Sequence, residues 1–244
     1  MDEMENNDAP QGVEIQTQNG GLLASIGDIF LEPNKVFKRI DAGLQWWKAF
    51  IVLGVIQIII GWFSLPIQRH VLSLNERGFN EEQLSRALQN MDKFGPYGLI
   101  LAPVGILVIY LIYAWIVNIG VNLLSARSDY RKSLSLVTFT GFIAIVEQII
   151  SVIIIRSRGL EAIESSEGAR ISLSLAALFP DLEGFWAAFL ESLSVFGIWY
   201  YFVLTLGIAA IFRIEIKKSV IPVVILWIIT MLFLYLSKVL GSIG

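Results

Sequence analysis

The sequence predicts an all-α integral membrane protein with five transmembrane helices and flanking interfacial amphipathic helices. Three observations predict it. Hydrophobic residues make up 55% of the 244 and the mean hydropathy is +0.68. Charged residues make up 16%, against about 25% in an ordinary soluble domain. The apolar residues are gathered into long blocks nearly free of charge, each about the 20 residues that a helix needs to cross the hydrocarbon core.

In chain order, residues 1–28 are acidic and polar and are expected to form a disordered tail. No basic segment followed by an apolar one opens the chain, so the pattern is not that of a cleavable signal peptide, and the first span must act as the insertion signal. Residues 29–244 form the five-span domain. Its first element is an amphipathic helix, Pro33–Leu44. Pro33 suits the first helical position. Val36, Phe37, Ile40 and Leu44 share one face, with Lys35, Lys38 and Arg39 elsewhere, an arrangement suited to anionic lipid. Span one covers Trp47–Leu65 and stops near Pro66. A second amphipathic helix, Asn80–Met91, carries Asn80 as N-cap and Gln83 in a capping-box position. Span two covers Gly98–Leu124 and is long enough to require a tilt, or a kink at Pro103. Span three covers Leu134–Ile155. The aromatic stretch Glu183–Leu193 leads straight into span four, Leu193–Phe212. Span five covers Val220–Leu240, with Pro222 in its first turn, where proline is tolerated.

Orientation follows from Lys and Arg near the span ends. Lys35, Lys38, Arg39 and Lys48 precede span one. Arg127, Arg131 and Lys132 fill the short loop between spans two and three, and Arg213, Lys217 and Lys218 the loop between spans four and five. All fall on one side, which the rule assigns to the cytoplasm, so the N-terminus is expected inside and the C-terminus outside a cell (inner) membrane. Apart from Lys48, these cations form the candidate cytoplasmic interaction face. Arg69, Arg156 and Arg158 stand on the opposite side, against the rule. The loop after span three is acidic, with Glu161, Glu164, Glu167, Asp181 and Glu183.

Composition narrows the function. A net charge of −3 without a clustered basic domain argues against nucleic acid. There is no cysteine and one histidine, His70, which removes thiol nucleophiles and multi-histidine metal sites. No H-E-x-x-H, G-x-S-x-G or G-x-x-x-x-G-K-[ST] motif occurs. No histidine lies in a span, so Ser194 and the loop serines have no expected base. The reading is a non-enzyme with no catalytic, cofactor-binding or metal residues.

Glu147 is the one acid inside a span. Counting ~1.5 Å per residue from Ser133 places it ~21 Å in, in the outer half of the bilayer. Tyr200 and Tyr201 of span four, and Tyr110 of span two, fall at similar depth. A protonated carboxyl bonded to a tyrosine hydroxyl would satisfy both groups. Asn118, with Asn122 one turn on, offers a further polar face. The candidate intramembrane polar site is therefore Glu147, Tyr200, Tyr201 and Asn118. It reads as a clamp between helices or as a proton or ligand site.

Three passages carry a family likeness: IFLEPNKVFKRI at Ile29–Ile40, ARSDYRKSLS at Ala126–Ser135, and FGIWYYFVLTLGIAAIFRIEIKK at Phe196–Lys218. They resemble the Yip-domain family, the Ypt/Rab-interacting membrane proteins and their prokaryotic relatives. The first is similar to the family's proline-led amphipathic approach to span one, and the second to its aromatic and basic turn. The third resembles its F-x-x-W, small-residue helix and basic turn, here Phe196, Trp199, Gly207, Lys217 and Lys218. Many relatives carry a proline late in span three where this chain has Val146-Glu147. The resemblance implies a prokaryotic member. Eukaryotic members bind small GTPases in vesicle trafficking, and some bacterial relatives are associated with ABC-type exporters as accessory subunits. The expected function is a scaffold or accessory subunit whose partners are the lipid bilayer and another membrane protein. The alternative is a small-solute or proton-coupled transporter built on Glu147.

Overall fold

The computed structural model describes residues 21–75, 78–124, 127–165, 173–179, 181–182 and 184–243. Eight α-helices are formed by these residues: α1 Leu22–Leu31, α2 Pro33–Asp41, α3 Trp46–Ser73, α4 Glu81–Leu124, α5 Tyr130–Arg158, α6 Gly184–Glu191, α7 Val195–Phe212 and α8 Ile216–Ile243. Five of them, α3, α4, α5, α7 and α8, are long and apolar enough to cross a membrane. They answer to the five apolar blocks. Residues 1–20 of the expected tail lie outside the described residues, and α1 begins at Leu22, within the stretch expected to be tail.

Small side chains set how the long helices meet. A Cβ on Gly54, Gly61 or Gly95 would press on Pro103, Leu99 or Leu65, so α3 and α4 run antiparallel with their backbones close. Further along the same pair, Arg69 meets Asp92 at 2.8 Å. Gly120 of α4 receives Pro222 of α8, and Gly207 of α7 receives Leu136 of α5. α3 and α5 run parallel: Ser135 donates to the Leu44 carbonyl at 3.2 Å, and Arg156 reaches Phe63 at the far end. α5 is the central helix, buried without a break from Ser133 to Ile143. Its neighbours shield it from lipid, whereas α3 and α4 expose Ile59, Trp62, Leu101 and Trp115.

α4 joins two elements that the sequence pattern separates. The capping box is formed as expected: Gln83 N–H donates to Asn80 Oδ1 at 2.9 Å, and Asn80 N–H to Gln83 Oε1 at 3.1 Å. The helix then continues without interruption through Pro96 and Pro103 into the span, for 44 residues. At 1.5 Å per residue that is ~66 Å, about twice the hydrocarbon thickness. Its polar first half therefore projects beyond the bilayer.

α1 and α2 form a hairpin at the bundle end where α5 and α8 begin. α2 has the expected amphipathic pattern, but its apolar stripe meets protein rather than lipid. Val36, Phe37 and Ile40 are fully buried, and Phe37 lies over Gly207 beside Leu136. The cause is the bare backbone of α7 at Gly207, which leaves a recess that the ring fills. α6 is likewise interfacial in composition and packs on α8, with Phe185 on Tyr235 (6.0 Å) and Phe189 on Trp227 (5.8 Å). It does not lead straight into span four: a turn at Ser192 to Ser194 intervenes.

The recess predicts a sharp contrast between two glycines. A Cβ at Gly207 would lie 2.3 Å from Leu136 and 2.9 Å from Phe37, while nothing stands within 4 Å of one at Gly105. Gly207→Ala should lower stability in detergent by about 1–3 kcal/mol. Gly105→Ala should be neutral or stabilising by up to about 1 kcal/mol. Thermal unfolding of the two variants checks this, and equal melting temperatures would contradict the packing.

Candidate functional site

Glu147 lies on α5, half-buried, at the depth where α7 begins. Its carboxylate Oε2 accepts from Ser194 Oγ at 2.8 Å. Ser194 is the N-cap of α7, and the same Oγ accepts from Gly197 N–H at 2.8 Å. One hydroxyl thus links the acid to the helix end. The positive end of the α7 dipole faces the carboxylate. The backbone on either side of Ser194 is also pinned. Leu175 N–H donates to the Leu193 carbonyl and Val195 N–H to the Leu173 carbonyl, both at 3.2 Å. A short antiparallel bridge between Ser174 and Ser194 results.

The expected partners of Glu147, Tyr200 and Tyr201, are engaged elsewhere. Six residues of helix separate Ser194 from Tyr200, ~9 Å of rise, so the tyrosines lie deeper along α7 than the acid. The Tyr200 hydroxyl lies near Thr140 of α5 and that of Tyr201 near Thr230 of α8. Thr230 Oγ1 also meets Tyr113 of α4 at 3.0 Å. The hydroxyl of Tyr110 lies against Gly141, where a Cβ would stand 2.1 Å away. Its ring packs edge-on with Phe50 of α3 at 6.3 Å. Four of the long helices therefore contribute to one layer of buried and half-buried tyrosine and threonine hydroxyls, with Phe50 of α3 against it, on the α5-N-terminal side of Glu147.

Asn118 is on the far side of that layer, near the basic end, and does not join Glu147. Its Oδ1 is buried without a hydrogen bond among the described residues. Asn122, expected on the same inward face, is exposed. The sequence therefore located the acid but not its partner. Ser194 three residues ahead of Gly197, before an apolar run, is an N-cap signal. It identifies the helix start without showing that a carboxylate from another span reaches it.

Ser194 was expected to have no base partner, and it has a carboxylate. The hydroxyl is nonetheless committed as donor and as cap acceptor, and it is only 7% exposed. Among the described residues, no three histidine, aspartate or glutamate side chains converge as a metal-holding group. His70 makes a contact with the Ile163 carbonyl at 3.0 Å and ties the end of α3 to the segment after α5.

The cations of the basic end differ in availability. Arg39 turns inward between α1 and α2, bonding Asp28 at 2.6 Å and Ser25 at 3.0 Å, with its side chain only 14% exposed. Lys35 pairs with Glu32 at 2.7 Å, Lys132 with Asp41 at 2.5 Å, and Lys218 with Glu215 at 3.5 Å. Lys38, Arg127, Arg131, Arg213 and Lys217 are exposed.

Five long apolar helices, a polar layer within them and an N-terminal hairpin docked at one end define a multi-pass α-helical membrane protein. The Yip1 domain model matches residues 27–237, and the chain belongs to that family. It is 24% identical over 225 residues to "Membrane protein YknW" of Bacillus subtilis (strain 168), covering 90% of this chain and 92% of that protein. No solved structure matches the chain.

If Ser194 and Glu147 hold α5 to α7, their contributions are coupled. Ser194→Ala and Glu147→Ala should each destabilise the protein. The double variant should lose less than the sum, by about 0.6–2 kcal/mol, the range for polar contacts between membrane helices. Additive losses in a thermal double-mutant cycle would show that the pair is not an energetic unit.

Proposed function

We propose that this protein is a non-enzymatic scaffold or accessory subunit of a membrane complex, with its basic end toward the cytoplasm of a bacterial cell. The observation that carries the reading is the bond between Glu147 and Ser194. The one acid deep in a span is engaged at a helix cap, a structural task that needs no change of protonation. Two clefts open where α3 meets α4 around Arg69 and Asp92, and neither includes Glu147. Lys38, Arg131, Arg213 and Lys217 offer exposed charge to a partner at the basic end. Another membrane protein is the partner class, and an ABC-type exporter is the assembly that the family resemblance suggests.

A small-solute or proton-coupled transporter using Glu147 is the second reading, and one variant separates the two. Glu147→Gln keeps the size and an acceptor for Ser194 but removes the titratable proton. Under the scaffold reading it should fold, cost less than Glu147→Ala and restore function in cells lacking the native gene. A well-folded Glu147→Gln that fails to complement would move the acid into a transport cycle. Orientation has its own test. Reporter fusions at Gly20 and at the C-terminus should report opposite sides, with Gly20 cytoplasmic. The same side for both would contradict five crossings, and reversed sides would contradict the orientation.

A further inference from the structure

Three arginines stand at the bundle end opposite the basic segments, against the positive-inside rule: Arg69, Arg156 and Arg158. Arg69 is engaged by Asp92, at 2.8 and 3.2 Å. Arg156 is different. It is exposed, its guanidinium lies 5.9 Å from the centroid of the Phe63 ring, and no carboxylate among the described residues lies within ion-pair distance. Beside it a cleft of ≈ 330 Å³ opens between α3 and α4, with apolar walls from Trp62, Pro66, Met91 and Pro96. Arg156, Arg69 and Asp92 form its polar edge.

The height of this cleft along the bundle is marked by its surroundings. Trp62, Phe63, Phe94 and Tyr97 are between 50% and 64% exposed, an aromatic belt whose amphipathic Trp62 and Tyr97 are of the kind found at the membrane–water boundary. Lys93 extends over Phe94, 5.1 Å from the ring centroid, a cation beside an aromatic anchor at the same belt. An apolar recess beside an exposed guanidinium at that level suits a lipid with its chains in hydrocarbon and its phosphate at the surface.

We propose that this cleft binds a single anionic phospholipid from the adjacent leaflet. Its phosphate sits on Arg156 and one acyl chain runs inward along Trp62 and Pro96. The planar guanidinium presents paired N–H donors that match phosphate oxygens, and the Phe63 ring holds that plane in place. Asp92 limits Arg69 to a supporting role, because it already neutralises that charge. The bound anion compensates a cation that the topology rule would exclude from this side. The proposal is independent of the scaffold reading.

The test uses the purified full-length chain in detergent micelles titrated with dioleoylphosphatidylglycerol and followed by native mass spectrometry. Dioleoylphosphatidylcholine and inorganic phosphate are the comparison ligands. One phosphatidylglycerol should be retained per chain, phosphatidylcholine severalfold more weakly, and phosphate alone not at all. Arg156→Gln should weaken retention roughly tenfold, the size expected for loss of a charge-assisted hydrogen bond. Arg158→Gln should leave it unchanged. Arg156→Lys keeps the charge but loses the fork. It should weaken retention severalfold and serves if the glutamine variant does not fold. Unchanged retention in the Arg156 variants would overturn the proposal. So would equal affinity for the two lipids, which would indicate an apolar groove without head-group recognition. Binding of phosphate alone would overturn it too, by indicating a free-anion site.

Discussion

A helix that ends inside a bilayer must satisfy its terminal N–H groups without water, and α7 is built around that constraint. It has 18 residues, ~27 Å of rise, which is short of the ~30 Å hydrocarbon core. Its first turn therefore opens at a depth where unpaired backbone groups cost several kcal/mol each. Ser194 caps one N–H, the Leu173 carbonyl takes another, and Glu147 from α5 fixes the rotor of the capping hydroxyl. The same bonds bring the segment before α6 against α7. Much of the architecture at this end of the bundle follows from where one helix begins.

Below that level the structure depends on close backbone approach. Gly207, Gly120 and Gly141 receive Leu136, Pro222 and Tyr110 respectively. Lipid supplies no hydrophobic drive between helices, so such contacts and the hydroxyls they bring together carry association. The tyrosine and threonine layer is consistent with this. Thr140 and Thr230 both return a bond to their own helix while meeting a tyrosine from another. A hydroxyl layer so engaged is a packing device, and it separates Asn118 from Glu147.

At the opposite end the N-terminal hairpin takes the place that a sequence reading gives to lipid. Phe37 fills the Gly207 recess, and Arg39 is drawn inward by Asp28. Burial of a guanidinium is costly unless paired, and Asp28 lies one turn from Ser25 on the same face of α1. The basic surface left for a partner is therefore narrower than the count of cations suggests. It centres on Lys38, Arg131, Arg213 and Lys217.

Sequence by itself determined the class of fold, the five spans and the capping box at Asn80. Each is a local property: run length, periodicity, or a residue and its neighbours three or four positions away. The family resemblance was legible for the same reason, in short continuous motifs. What only the tertiary structure decided are contacts between distant segments. These are Ser194 rather than Tyr200 or Tyr201 as the partner of Glu147, Phe37 in Gly207 rather than in lipid, and Arg39 turned inward. They also include the union of two expected helices, Asn80–Met91 and Gly98–Leu124, into α4. In a bilayer, a polar side chain takes the nearest donor that packing supplies. Which donor is nearest depends on how far each helix has risen past its neighbours, and no local pattern encodes that offset.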